Sequence, residues 1–266
     1  MTNANYIHYA TNYGDGIHYH LVLWVDVAST TMAVLNTTTK VYECIINYLS
    51  PITQISNEQL RTNLKLAQVQ LISASAQLYN ANMALIPNNT IAANELDYTH
   101  TDALTLINAQ IAYNVSPEII AKLQQLSPAI TLHHHTAISI QNVLTNLVKQ
   151  PNESLVTATL YNKLLHVCVV KNGVFTLSNY YDIKHTNDVV YYLLFTYNQL
   201  QLSNTAVPLY VYADAGMAKL IATHLMEFIQ TTHITHNLPT PYTLHSSIDS
   251  ALTSELYPLL TLHPCV

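Results

Sequence analysis

Fourteen histidines stand out in a chain with only nine lysines and arginines. An imidazole can ligate a metal, carry a proton or orient a nucleophile, and spacing decides among these roles. His18-x-His20 would share one face of a strand, His233 and His236 a helical face or a loop, and His133 to His135 run consecutively. None of these completes a metal site. No HExxH is present, and no carboxylate or cysteine stands where it would supply the missing ligands. Histidine is enriched throughout, alongside 19 tyrosines and 3 phenylalanines, which reads as a compositional habit. No metal site is expected.

Nucleophilic chemistry fares no better. There is no GxSxG; Cys44 and Cys168 fall in apolar β-rich runs, where a thiol is buried and inert, and Cys265 is the one cysteine expected to be exposed. Three widely spaced cysteines without a CxxC make a disulfide framework improbable and fit a reducing cytoplasm. The four glycines, Gly14, Gly16, Gly173 and Gly216, build neither GxGxxG nor GxxxxGK[ST], which excludes a standard dinucleotide fingerprint and a P-loop. No residue is assigned a catalytic role.

Composition narrows the class further. At 266 residues and 50% hydrophobic content, the chain can bury a full core, and its 9% of charged residues is far from the profile of a disordered chain. A net charge of −6, with Arg61 the sole arginine and no cluster of cations, excludes nucleic acid as a partner. No stretch approaches the ~20 apolar residues that span a bilayer. The first residues also lack the basic start and apolar run of a signal peptide. A cytoplasmic protein is expected.

The elements that would position any site fall into two similar series. Residues 1–20 read as a tail or a first irregular segment, with Tyr9, Tyr13 and Tyr19 as an aromatic scatter that folds back or forms an interaction arm. Leu21 to Val27, Thr31 to Leu35 and Val41 to Leu49 are three strands. Ser56 then caps a helix through Leu60, Leu64, Ala67 and Leu71. Strands follow at Gln70 to Ser75 and Met83 to Ile86, and a short helix at Asp102 to Ile107. Ser116-Pro117-Glu118 opens a helix that closes at Leu126; a strand at Ala129 to Leu132 and a helix at Thr136 to Val148 complete the first half.

Polarity and proline coincide at Gln150 to Glu153, the predicted boundary. The second half repeats the plan. Leu155 to Leu160, Leu164 to Val170 and Val174 to Tyr181 are strands, and Asn172-Gly173 is the strongest hairpin signal in the chain. Asn187 and Asp188 are cap candidates for a helix carrying Val190, Leu193, Leu194, Tyr197 and Leu200. A strand at Leu209 to Tyr212 leads through Ala213-Asp214-Ala215-Gly216 into another helix. Strands at Ile234 to Leu238 and Leu259 to Leu262, and a helix at Ser247 to Leu256, close the series. The fold class is α/β: a duplicated ribonuclease H-like (actin-like ATPase) fold. Its two lobes, residues 21–150 and 151–266, each carry a mixed five-stranded-type sheet flanked by helices.

Four passages carry a family resemblance: Met83-Ala-Leu-Ile-Pro87; His134-His135-Thr136-Ala137; Asn172-Gly173 through Asp188-Val-Val-Tyr-Tyr-Leu193; and Leu259-Leu-Thr-Leu-His-Pro-Cys265. Their order and spacing resemble the uncharacterised bacterial domain of unknown function 3822 family, whose members have an actin-like ATPase fold. The resemblance implies a fold and no reaction. In actin-like ATPases, two β-hairpins hold phosphate and a Gly-Gly turn holds adenosine. The first hairpin corresponds to Asp26-Val27-Ala28-Ser29-Thr30-Thr31, which keeps the aspartate and hydroxyls but has Ala28 for the glycine. The second corresponds to Tyr161-Asn162-Lys163, where Lys163 could meet a phosphate or be a plain turn lysine. The adenosine turn corresponds to Ala213 to Gly216, one glycine short, with Asp214 equally able to cap the next helix.

The reading that follows is a non-catalytic scaffold or interaction protein with an unidentified protein partner and no required cofactor. Its rival is an ATP-binding assembly ATPase related to pilus- or division-associated actin-like proteins. That rival would hold Mg-ATP with Asp26, Ser29, Thr30, Lys163 and Gly216. A third reading, a kinase or hydrolase, could use only Asp26 and lacks a general base.

Overall fold

Leu21 to Val25 is apolar at every position, a pattern suited to a strand covered on both faces. In the computed structural model, which describes residues 3–15, 18–79, 83–88, 98–161, 163–234 and 241–261, this run is buried throughout. The chain opens with β1 (Tyr6–Tyr9), β2 (Tyr19–Val25), β3 (Thr30–Asn36) and β4 (Val41–Tyr48). Then come α1 (Asn57–Asn63), β5 (Leu71–Leu78), β6 (Met83–Pro87), β7 (His100–Leu104) and β8 (Ala109–Tyr113). α2 (Pro117–Leu126), β9 (Thr131–His134) and α3 (His135–Asn142) follow, and a π turn over Val143–Leu147 extends α3. The second series comprises β10 (Leu155–Tyr161), β11 (Leu164–Lys171), β12 (Val174–Asp182), α4 (Thr186–Gln199), β13 (Leu209–Tyr212), α5 (Ala215–Leu225) and β14 (Thr232–Ile234). The chain ends with β15 (Thr243–Leu244), α6 (Leu252–Glu255) and α7 (Tyr257–Leu260).

Two compact units result. The first contains residues 1–138, 238–249 and 258–266, and the second residues 139–237 and 250–257. The division falls inside α3, ahead of the Gln150–Glu153 boundary suggested by local polarity. Long-range packing sets it: Asn142 Nδ2, for instance, donates to Tyr257 Oη at 3.1 Å within the second unit.

The duplication is explicit in strand order. The main sheet of the first unit runs β1-β4-β3-β2-β5-β9, with β15 also beside β4; the sheet of the second runs β12-β11-β10-β13-β14. In both, three antiparallel strands are followed by two parallel ones, β2 with β5 and β5 with β9, or β10 with β13 and β13 with β14. The second unit has the expected mixed five-stranded sheet. The first adds β1 and β15 and a separate antiparallel sheet, β6-β8-β7.

Several local expectations are corrected. The N-terminal segment contains β1, which pairs antiparallel with β4. Its tyrosines fold back: Tyr9 Oη donates to Asn63 O at 2.5 Å, Tyr13 Oη to Leu64 O at 2.8 Å, and the Lys65 ammonium lies 4.1 Å from the Tyr9 ring centre. Ser56 does cap α1, its Oγ accepting from Gln59 N–H at 3.1 Å, but the helix stops at Asn63 and Leu71 starts a strand. Lys65, with φ 51°, turns the chain out of the helix. Residues 102–107 are not a helix. Asp102 and Leu104 alternate inward along β7, only Thr105–Ile107 makes a 3₁₀ turn, and left-handed Asn108 reverses the chain into β8. His185 rather than Asn187 precedes α4, and the Asp188 carboxylate accepts from Lys184 and His185 N–H at 2.8 and 2.9 Å. These bonds hold the Asp188 pKa below its usual value. Near the C-terminus, the 247–256 helix shrinks to α6, and Leu259 lies in α7 rather than a strand. The predicted strand at 234–238 has its described part in β14, while 235–240 and 262–266 lie outside the described residues, as do Gly16 and residues 89–97.

The small sheet is pinned by one buried carboxylate. Asp102 Oδ2 accepts from His134 N–H at 2.5 Å, and Oδ1 lies 3.1 Å from His133 Nδ1, tying β7 to β9. In the second unit, Val156, Val167, Leu193, Leu209, Ile221 and Leu225 share one core. The β11–β12 turn has positive φ at both Asn172 (53°) and Gly173 (76°), the backbone of a two-residue hairpin that follows strand twist. A Cβ at Gly173 would also lie 1.5 Å from Pro151 O. Gly173→Ala should therefore cost more than ~1 kcal/mol in urea unfolding, through both strain and collision. An unchanged midpoint would contradict this account of the turn.

Candidate functional site

β2 and β5 run parallel with Val25 opposite Leu78, so their carboxyl ends finish side by side. In open α/β sheets, ligand crevices form beyond such ends. Here a cavity of about 500 Å³ opens in the first unit, bounded by the residues after β2, β4, β5 and β8 and by the first turn of α2. Val25, Ile52, Leu78 and Ile119 give it apolar walls. Its polar groups come from Asp26, Thr53, Tyr79, Asn114, Ser116 and Glu118. Asp26 is only 7% exposed, whereas Glu118, on the first turn of α2, is open to solvent. No lysine, arginine or histidine is among the described residues that line the cavity.

The Tyr79 wall is held from behind. Its ring stacks on Trp24 with centres 5.5 Å apart, and His135 lies 4.8 Å from Trp24 and 5.5 Å from Tyr79. His135 Nδ1 is 2.5 Å from Gln77 Nε2 on β5. The second histidine of His134-His135-Thr136-Ala137 thus serves as a buried prop for the pocket wall.

The turn Asp26–Thr31 is tightly organised. Asp26 Oδ1 accepts from Val27 N–H at 2.6 Å, and Asp26 N–H donates to Ser29 O at 3.0 Å. Ser29 is buried, and the fully buried Thr30 hydroxyl donates to Ser50 O at 3.0 Å. These three residues stand together in the first unit. Lys163 and Gly216 belong to the second, past the carboxyl ends of the parallel neighbours β10 and β13. Lys163 is exposed in a left-handed turn (φ 66°), and its carbonyl accepts from Ile183 N–H at 2.7 Å. Asn162 lies outside the described residues. Gly216 falls in the first turn of α5, with Asp214 as its cap: Asp214 Oδ1 accepts from Met217 N–H at 3.0 Å.

Other sequence candidates have structural places. His20 is buried, with Nδ1 2.6 Å from Ser73 Oγ, and the His18 carbonyl accepts from Thr37 N–H at 2.9 Å. His233 stacks on Tyr210 at 5.1 Å; His236 and Cys265 lie outside the described residues. Cys168 Sγ is 3.3 Å from His166 Nε2, yet burial pushes its pKa up to about 12, leaving a thiol rather than a nucleophilic thiolate. Burial likewise pushes Cys44 up to about 12. Among the described residues, no group of three His, Cys, Asp or Glu side chains could hold a metal. The cavity residues Thr53, Tyr79 and Glu118 carry no motif; they come from the segments after β4 and β5 and from α2, which only the tertiary fold brings together.

Residues 75–232 match the family described as protein of unknown function, DUF3822. The chain belongs to that family. No curated protein matches it. Among solved structures, it is similar to a protein with actin-like ATPase fold and unknown function from Bacteroides thetaiotaomicron. The two share 15% identity over 92% of this chain and 98% of that one, with a TM-score of 0.66. It is also similar to a chain of the PilM–PilN type IV pilus biogenesis complex, at 9% identity over 91% of this chain and 96% of that one, with a TM-score of 0.57. The fold is that of the actin-like ATPases. No helix among the described residues is long and apolar enough to cross a membrane.

At Asp214 a second carboxylate stands nearby. Burial first, and then the Asp214 charge, raise the Glu255 pKa above its ordinary value. The folded protein therefore binds this proton more tightly than the unfolded chain does, and stability is lost as pH rises through the ordinary glutamate range and beyond. Glu255→Gln should melt higher than the parent at about pH 7.5, the gap closing by about pH 4. A gap that is absent at neutral pH, or that widens in acid, would contradict this.

Proposed function

We propose that this chain is a non-catalytic interaction protein that retains the actin-like fold without its nucleotide chemistry. The observation that carries this is an exposed apolar surface on the second unit. Tyr191 is 61% exposed and Phe195 43%, stacked with ring centres 6.0 Å apart along α4. Leu220 and Phe228, at 45% and 48%, belong to α5 and the turn after it. Between the two elements lies a groove of about 390 Å³, lined by Val190, Tyr191 and Phe228 and by the polar Asn187, Thr223, His224 and Glu227. Large exposed aromatic and aliphatic side chains beside a groove are a usual mark of a protein contact. The similarity to a PilM–PilN chain, a fold relative seen in a protein complex, supports the same reading.

Ala28 in the first phosphate turn, the engaged Thr30 hydroxyl and the use of Asp214 as a helix cap all argue against a phosphate grip. The rival ATP-binding reading rests on Asp26 bordering an open cavity, with Mg-ATP as its ligand. One experiment addresses both: capture of partners from cells by the parent and by a Tyr191→Ser/Phe195→Ser variant, beside thermal unfolding with millimolar Mg-ATP. The expected result is a partner lost in the variant and no ATP-induced shift. A midpoint raised by Mg-ATP and unmoved in Asp26→Ala would overturn the reading, because a hundredfold ligand excess adds ~2.7 kcal/mol to the folded state.

A further inference from the structure

We infer that the cavity beside Asp26 binds an organic cation: an ammonium or guanidinium group carried on an apolar stem. Its volume, about 500 Å³, lies within the ~300–1,000 Å³ range of small-molecule sites. Its charged lining is of one sign. Asp26 borders it from the end of β2, and Glu118 from the first turn of α2. No cation lines it among the described residues, so a phosphate or carboxylate ligand would meet repulsion. The positive end of the α2 dipole is already complemented by Glu118.

A bare metal ion suits the site poorly. Among the described residues, only two carboxylates line the cavity and no group of three ligating side chains occurs. The rest of the lining fits a stem. Val25, Ile52, Leu78 and Ile119 would cover methylenes, and Tyr79, held by Trp24, lines the same cavity. The nearly buried position of Asp26 strengthens its attraction for a cation, since water screens it little. The chain's net charge of −6 would draw such a ligand from a distance. The cation has two available sources, a free small amine or guanidine, or a lysine or arginine side chain presented by a partner. The inference does not depend on the α4–α5 surface.

The test is calorimetric titration of the full chain with n-butylguanidinium at low salt, beside its neutral isostere n-butylurea. The expected result is binding of the guanidinium alone, weakening as salt is added. Glu118→Gln, at an exposed position, should weaken it about two- to fivefold. Asp26→Asn should abolish it; if that variant fails to fold, Glu118→Gln still decides. Equal binding of both probes, no binding of either, or full affinity in Glu118→Gln would overturn the inference. A blocked hexapeptide bearing arginine, against its citrulline counterpart, separates the sources. Tighter binding of the arginine peptide than of n-butylguanidinium supports a partner side chain, and weaker binding supports a free small cation.

Discussion

Each unit hangs on a strand that is antiparallel to one neighbour and parallel to the other: β2 in the first, β10 in the second. Such a strand sits inside its sheet, and β2 is covered along its whole length, which suits the apolar run Leu21 to Val25. Parallel pairing also brings two carboxyl ends together and leaves a crevice beyond them. In the first unit, that crevice is the cavity beside Asp26. In the second, the equivalent ends lead to Lys163 and to the capped start of α5.

The side chains around these ends have local hydrogen-bond partners of their own. Thr30 directs its hydroxyl to Ser50 O, and Asp214 directs its carboxylate to the first turn of α5. Gly216 sits inside that turn, so its missing side chain relieves contact with Asp214 Oδ1, which a Cβ would approach to 3.2 Å. Asp26 borders a cavity whose charged lining, among the described residues, is Asp26 and Glu118. The fold leaves the chemistry open, because chemistry resides in a few side chains and the fold in many buried ones.

Much of the fold was legible in sequence because its strands are apolar runs broken by turn residues. Asn172-Gly173 fixed one hairpin, and Ser56 and Pro117 marked helix starts correctly. The missed strands are the instructive failures. β1 and β15 are short and become strands only because β4, remote in sequence, pairs with them, and β7 is short and pairs with β8 across a turn that carries no marked hairpin signal. Asp102 looked like a helix residue because nothing local shows that its carboxylate reaches His133 and His134. The site was harder still. Asp26 could be singled out, but Tyr79 joins it only through sheet topology and Glu118 only through the packing of α2, and the prop supplied by His135 is invisible in a run of three histidines.

The most direct measurement is a crystal structure of the protein grown with n-butylguanidinium and, separately, with Mg-ATP. The account predicts the guanidinium group within hydrogen-bonding distance of Asp26 and Glu118, its stem against Leu78 and Ile119, and no nucleotide at the Asp26–Thr31 turn. A nucleotide with its phosphates at that turn, or a guanidinium site remote from both carboxylates, would contradict it.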